Sequence, residues 1–302
     1  MTTVPSPLAA LSAEIATLAA AAAPGAVAIT HKRHSASGFY WRPDVIATAS
    51  ESLPVRRGET VTIHAAGGVS GQGTVVGHDP STDLALIRTT AAGVALPTAA
   101  TTAMAIGQAL LVVGRMPHGA SATLGFVTLA AGPWRSMRGG NISQRIVVDA
   151  RLPRAAEGAA VVDTAGGLLG MAVFGPRRRV LVIPVDTIER AGVELLAHGR
   201  IRQGYLGVSV QAVPMPEHGT DGKTERRLGL MVMGLDGKGP AAAAGILRGD
   251  IITAIDGAAP RTPRALAHLL PGDMIGQSKS VALVRAGQPT HISVTIGEAP
   301  EH

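Results

Sequence analysis

Between residues 26 and 184 the chain is a series of short apolar runs separated by Gly, Pro, Asp and Ser, and this pattern limits the fold more than any other feature. The runs are rich in β-branched residues and too short for ordinary buried helices. Repetition at such short intervals is typical of antiparallel strands in barrels or sandwiches. We therefore predict a mainly β fold, with strands at 26–30, 45–49, 60–64, 73–77, 84–88, 109–113, 122–129, 145–148, 159–162, 168–174 and 180–184.

Two helices are predicted to flank this region. Segment 6–22 carries apolar residues at helical spacing and is expected to pack as a helix, and Asp186 is expected to cap a second helix over 187–197 that ends at His198 and Gly199. About a hundred residues of mixed β and α character follow, which is enough for one further module. We predict three parts: an N-terminal helical segment at 1–24, a β domain at 25–198 and a smaller domain at 199–298.

Composition excludes several classes of function. The chain has no cysteine, which rules out disulfide scaffolds, thiol catalysis and cysteine-based zinc sites. Aromatic residues make up 2% of the chain and the excess of positive charge is scattered, so nucleic acid is not an expected partner. No cofactor is implied. No uncharged run reaches the roughly 18 to 20 residues of a membrane span, so none is predicted. The N-terminus lacks the features of a secretory signal, which predicts a cytoplasmic protein if Met1 is the native start, and a periplasmic one if the sequence is a trimmed piece of an exported protein.

The C-terminal module contains two motifs that are similar to those of PDZ domains. Residues 245–252, followed by Ile255, Asp256 and Gly257, resemble the PDZ signature, and residues 204–208 resemble the carboxylate-binding loop of bacterial PDZ domains. The resemblance implies that a protein partner binds here, through a C-terminal peptide that adds a strand to the sheet. The implied peptide-binding residues are Tyr205, Leu206, Gly207 and Val208.

The preceding domain resembles the trypsin-like proteases of the HtrA/Deg family. The resemblance rests on residues 45–50, 79–87, 114–127 and 148–161, and with the PDZ motifs it extends over nearly the whole chain. It implies a trypsin-like double β-barrel of two six-stranded barrels, followed by an α+β PDZ domain. It also makes a homotrimer a possible assembly, because members of the family often form trimers.

The departures from the family pattern fall on its catalytic triad. Asp83 matches the aspartate, but the histidine position falls on Glu51 and the serine position on Glu157. A glutamate pair supplies neither the nucleophilic hydroxyl nor the imidazole base of a serine protease. The first glycine of the nucleophile loop is replaced by Ala155, which tolerates positive φ less well. We expect Asp83, without its histidine, to anchor its own turn.

Three carboxylates placed together must be compensated, because they cannot all remain ionised at low cost. Three ways are open: pairing of Glu157 with the flanking Arg151 or Arg154, a proton retained within the cluster, or a divalent cation held by Glu51, Asp83 and Glu157.

The sequence therefore predicts an inactive HtrA-like pseudoprotease that acts as a protein-binding scaffold, an adaptor or a chaperone-like subunit. One alternative is an active serine endopeptidase whose nucleophile has moved to another serine beside another histidine. The other is a carboxylate-rich metal-binding module.

Overall fold

The computed structural model describes residues 6–91, 93–215 and 228–300. The predicted polar insertion at 217–227 lies outside the described residues. The chain forms two compact units, Met1–Ile201 and Arg202–His302.

The first barrel is closed by six antiparallel strands. Around the barrel they run β1-β2-β3-β6-β5-β4, with bounds β1 Ala26–His31, β2 His34–Arg42, β3 Val45–Ala49, β4 Thr60–His64, β5 Ser70–Asp79 and β6 Leu84–Thr89. The sequence analysis missed β2, since its polar first half gives no apolar run. Its second half nevertheless contributes Phe39, Tyr40 and Trp41 to the buried core.

The second barrel is also six-stranded and closed, in the order β11-β14-β13-β12-β7-β8. A two-stranded hairpin, β9-β10, projects between β8 and β11. The bounds are β7 Ala109–Met116, β8 Gly119–Ala131, β9 Trp134–Arg135, β10 Asn141–Ile142, β11 Arg145–Asp149, β12 Ala160–Val162, β13 Leu168–Phe174 and β14 Val180–Pro184. Two closed barrels confirm the predicted double-barrel fold.

The two predicted helices are present as α1, Pro7–Ala22, and α2, Val185–His198. Asp186 does not cap α2: it lies in the first turn, and its carboxylate accepts a hydrogen bond from Thr102 Oγ1 at 3.0 Å. Gly199, at φ 72°, ends α2 as predicted.

The packing of α1 is looser than predicted. Ala22 is its one buried residue, and Leu8 and Leu11 are 76% and 55% exposed. With the turn that follows it, segment Pro7–Gly25 is helical, long and apolar enough to cross a membrane by length and composition. The absence of a membrane span was predicted from uninterrupted uncharged runs, and this helix, in which Glu14 is the one charged residue, is a single candidate by length and composition alone.

The second unit contains a five-stranded antiparallel sheet in the order β16-β17-β18-β19-β20. Its elements are β15 Gly204–Tyr205, β16 Val208–Pro214, β17 Leu228–Leu235, α3 Pro240–Ala243, β18 Ile251–Ile255, α4 Pro263–His268, β19 Ser278–Arg285, β20 Gln288–Thr295 and β21 Gly297–Glu298. Strand β16 is an edge of this sheet, and α4 contacts it. One face of the sheet packs over a core of its own, which includes Leu230, Ile252 and Val294.

Candidate functional site

The pairing of β3 with β6 places Glu51 and Asp83 side by side. Ala49 at the end of β3 lies opposite Leu84 at the start of β6, so the residues just beyond them meet. The backbone N–H of Glu51 donates to Oδ1 of Asp83 at 2.8 Å, and the N–H of Ser50 donates to the carbonyl oxygen of Asp83 at 3.2 Å. Asp83 itself has φ 58°, in the left-handed region that aspartate tolerates better than most residues.

Asp83 does not anchor its own turn. That role belongs to Asp79, whose Oδ1 accepts hydrogen bonds from the N–H and the hydroxyl of Ser81, and whose Oδ2 accepts one from Thr82. The carboxylate of Asp83 instead joins two loops, because the amide it binds belongs to the segment that follows β3.

Glu157 brings its carboxylate to the same place from the second barrel. It follows a 3-10 turn, Arg154–Ala156, and its carbonyl oxygen accepts the N–H of Ser37 on β2 at 2.9 Å. Its Oε2 accepts the hydroxyl of Ser52 at 2.5 Å, and its Oε1 accepts the N–H of Phe174 at 2.9 Å. Each oxygen of the Glu157 carboxylate therefore accepts a hydrogen bond from the protein. One of the two donors, Ser52, follows Glu51 in the sequence.

The arginine that compensates this site is not one of those predicted. Arg138, between β9 and β10, places Nη1 2.8 Å from Oε1 of Glu51. Its loop is fixed to the turn before β6 by the hydroxyl of Ser136, which donates to the carbonyl oxygen of Ser81 at 2.5 Å. The predicted pairing of Glu157 with Arg151 or Arg154 is wrong, since Ser52 and Phe174 satisfy that carboxylate.

Asp83 is the residue of this site at which a proton is retained up to about neutral pH. Burial raises the pKa of the Asp83 carboxyl to about 7, and the carboxylates of Glu51 and Glu157 act in the same direction. The N–H of Glu51 and the guanidinium of Arg138 oppose this shift. Among the described residues, no three acidic or histidine side chains are grouped closely enough to hold a metal ion, which removes the support for the metal-binding alternative.

The loop before Glu157, which is predicted to correspond to the nucleophile loop of the family, lacks the geometry of an oxyanion hole. Such a hole needs N–H groups that are free and aimed at the developing negative charge. Here the N–H of Glu157 donates to the carbonyl oxygen of Arg154 at 3.3 Å, and that of Ala156 donates to Pro153 at 2.9 Å. Ala155 lies inside this 3-10 turn and does not adopt positive φ. The amide at the nucleophile position is thus already used.

A serine and a histidine are in contact near Asp83, as the alternative of a relocated serine–histidine pair requires. The hydroxyl of Ser50 lies 3.1 Å from Nδ1 of His78, a residue of β5. The backbone N–H of the same serine donates to the carbonyl oxygen of Asp83. Burial lowers the pKa of His78, which favours its neutral form. No local motif joins residues 28 positions apart, so only the pairing of strands reveals this contact.

The predicted peptide-binding loop presents two amides away from the body of its unit. The carbonyl oxygen of Leu206 accepts the N–H of Ala241 at 2.8 Å, and that of Gly207 accepts the N–H of Asp236 at 2.9 Å. Across a trans peptide the N–H points opposite to the C=O, so the amides of Gly207 and Val208 face outward. This arrangement requires Gly207 to adopt φ 77°.

The surroundings of the loop are formed by β16 and α4. The edge of β16 offers backbone groups for an added strand, while Val208 and Val210 pack against the core from this strand. Tyr205 supports the loop, since its hydroxyl donates to Oδ2 of Asp236 at 3.3 Å. A carboxylate at the two outward amides and an extended peptide along β16 fit this geometry.

Comparison with known proteins gives matches to both units. Residues 36–171 match the model of the trypsin-like peptidase domain, and residues 204–296 match that of the PDZ domain. The chain is 28% identical over 274 residues to a probable periplasmic serine endoprotease DegP-like of Brucella suis biovar 1, covering 87% of this chain and 52% of the relative. It is 27% identical over 242 residues to the serine endoprotease DegS of Escherichia coli K12, covering 75% of this chain and 66% of the relative. The chain spans about half the length of the DegP-like relatives that it matches.

Solved structures give the same result for the fold. The HtrA-type protease AlgW with a tripeptide superposes with a TM-score of 0.70 at 25% identity, covering 95% of this chain and 98% of that one. The serine endoprotease from Yersinia pestis gives a TM-score of 0.73 at 22% identity, covering 99% of this chain and 100% of that one.

Proposed function

Because the chain belongs to the HtrA family of trypsin-like proteases with a C-terminal PDZ domain, we propose that it is a pseudoprotease that keeps the family's recognition surfaces and has lost its peptidase chemistry. Its relatives are named serine endoproteases, and those names give the activity of the relatives, not of this chain. In this chain the role is that of a protein-binding scaffold, an adaptor or a chaperone-like subunit.

The observation that carries this proposal is the environment of Glu157. A nucleophilic hydroxyl at this position would need a neighbouring base and a free amide beneath the developing oxyanion. The position instead holds a carboxylate bound by Ser52 and Phe174, and its amide is used within the 3-10 turn. A carboxylate held there also repels the oxyanion of an acyl-transfer intermediate.

The second candidate is a serine hydrolase that uses Ser50 and His78. The 3.1 Å contact between the hydroxyl and Nδ1 favours it, because a neutral imidazole within hydrogen-bond reach can act as a general base. The surroundings of Ser50 argue against it. The N–H of Ser50 donates to the carbonyl oxygen of Asp83, so it does not support an oxyanion. Nε2 of His78 has no hydrogen-bond partner among the described residues, so no carboxylate orients the imidazole.

The recognition function falls to the PDZ domain, a module that binds peptides or proteins. The outward amides of Gly207 and Val208 support a terminal carboxylate as the ligand group, and the apolar side chains of β16 support an apolar last residue. We place this function in the periplasm, as the names of the DegP-like relatives do for those proteins; the cytoplasmic expectation has no support among the comparisons. Family members are oligomeric, and assembly into a trimer is part of the proposal.

Two assays on the full chain test the loss of chemistry. We expect a fluorophosphonate probe to leave the protein unlabelled and unfolded casein to remain intact, with an active HtrA-family protease as the positive control. Labelling or cleavage would overturn the proposal. The same assays on Ser50→Ala decide the second candidate, since a Ser50 hydrolase must lose its signal in this variant whereas a contaminating protease keeps it.

A further inference from the structure

A cavity of about 400 Å³ lies between the β9-β10 hairpin and helix α2, apart from the acidic site. Trp134, Arg135 and Ile142 line it from the hairpin, and Arg190 lines it from the helix. This volume lies within the range of roughly 300 to 1,000 Å³ that small-molecule sites occupy.

The ionisable side chains that line this cavity are all positive. They are Arg135 and Arg190, and no carboxylate lines it. Nη2 of Arg190 donates to the carbonyl oxygen of Asn141, which holds the guanidinium at the wall of the cavity. A guanidinium has five N–H donors, so this contact leaves others for a ligand. Arg145 adds further positive charge nearby, with its guanidinium 5.4 Å from the centre of the Trp134 ring.

The half-buried ring of Trp134 gives the cavity an apolar wall. The indole Nε1 of Trp134 is shielded from solvent and has no hydrogen-bond partner among the described residues. An atom that is closed to water is closed to a ligand oxygen as well, so the ring of Trp134 and not its N–H is the contact surface. Ile142 is 2% exposed and supports this ring from the core.

We propose that this cavity binds a small organic anion, a ligand with a carboxylate or phosphate group on an apolar body. The oxyanion lies between Arg135 and Arg190, the geometry in which guanidinium groups bind such groups most strongly. The apolar body packs on the Trp134 ring. This inference does not depend on the proposed loss of peptidase activity.

Tryptophan fluorescence tests the proposal on the full chain. The chain has two tryptophans, and the other, Trp41, is buried with its N–H bonded to Glu189. We expect titration with phenyl phosphate or phenylacetate, at constant ionic strength, to change the emission saturably. Benzyl alcohol, the neutral analogue, leaves it unchanged. Which of the two anions binds more tightly decides between a phosphate ester and a carboxylic acid as the ligand class.

Three variants link the signal to the cavity. Arg135→Gln and Arg190→Gln each remove a charged donor, which is expected to weaken binding by at least about tenfold. Arg33→Gln makes the same change of charge on the exposed β1-β2 turn and leaves the affinity unaltered. Absence of saturable binding by the folded protein would refute the proposal, as would binding that survives in Arg135→Gln. If Arg190→Gln fails to fold, Arg135→Gln decides alone, because its side chain is exposed.

Discussion

The backbone N–H of Glu51 donates to Oδ1 of Asp83 at 2.8 Å, so the carboxyl of Asp83 joins the loop after β3 to the start of β6. The same carboxyl is half-buried beside two other acidic residues, and its partial removal from water raises its pKa to about 7. Ionisation of Asp83 therefore lowers the free energy of unfolding.

Asp83 should make stability decrease with pH. In the unfolded chain the carboxyl ionises near its ordinary pKa of 3.8, whereas in the folded chain it keeps its proton up to about pH 7. Between these values the folded state binds more protons, so the free energy of unfolding falls as pH rises and levels off above about 7. Asp83→Asn keeps an acceptor for Glu51 and removes this dependence. Urea unfolding across this pH range measures the pH dependence of the free energy of unfolding, with Asp44→Asn as the exposed control. If wild type and Asp83→Asn showed the same dependence on pH, the raised pKa of Asp83 would be contradicted.

Restoring the missing triad residues should not restore the enzyme. The double variant Glu51→His, Glu157→Ser supplies base and nucleophile, but the amide of residue 157 still donates to Arg154. Loss of one oxyanion donor costs about 10²-fold to 10³-fold in turnover. Adding Ala155→Gly frees the turn for positive φ, and we expect this triple variant to cleave a peptide ester about 10² times faster than the double variant. A fully active double variant would show that the turn does not limit catalysis.

Ser52 should stabilise the fold through Glu157. Its hydroxyl is one of the donors to that half-buried carboxylate, so Ser52→Ala leaves Oε2 without this donor. We expect a loss of about 1 to 3 kcal/mol in the free energy of unfolding. Ser12→Ala on the exposed face of α1 is the matched control, with a change within about 0.5 kcal/mol. Urea unfolding at neutral pH compares them, and equal effects would argue against the Ser52–Glu157 bond.

The PDZ domain has an ion pair whose loss should be severe. Arg285 donates to both oxygens of Asp250, at 2.9 and 2.7 Å, and the Asp250 side chain is 2% exposed. Arg285→Met strands a buried carboxylate, at a cost of about 3 to 5 kcal/mol. Lys279→Met removes the partner of the exposed Asp256 and should cost far less, because solvent screens this pair. Thermal unfolding of the full chain distinguishes the two, and similar losses would contradict the burial argument.

Peptide binding should depend on the conformation of Gly207. At φ 77° alanine is strained by about 1 to 2 kcal/mol, and its Cβ would lie 3.1 Å from the Cα of Gly239. Gly207→Ala should therefore weaken binding of a labelled peptide ending in a free valine carboxylate by about fivefold or more. Gly237→Ala, where a Cβ meets nothing within 4 Å, is the control. Fluorescence polarisation measures both, and an amidated peptide that binds equally well would exclude carboxylate recognition.

Local patterns in the sequence were sufficient for most of the strands, and the family resemblance carried by its motifs implied the double barrel and the PDZ domain. Short β-branched runs predicted most of the barrel strands, and the glycine-containing motifs of the second unit predicted the PDZ domain, because both encode backbone conformation within a few residues. Strand β2 escaped detection, since its buried aromatic residues follow a polar stretch and its burial depends on neighbouring strands.

The sequence by itself also determined that glutamates, Glu51 and Glu157, stand at two of the three positions that the family resemblance assigns to the catalytic triad. Only the tertiary structure decided how these residues are compensated. Arg138 reaches Glu51 across 87 positions of sequence, Ser52 reaches Glu157 across 105, and Ser50 meets His78 across 28. Such contacts depend on barrel closure and on the hairpin between β8 and β11. No local pattern encodes them, because the energy of a charged group is set by whatever the fold brings within a few ångströms of it.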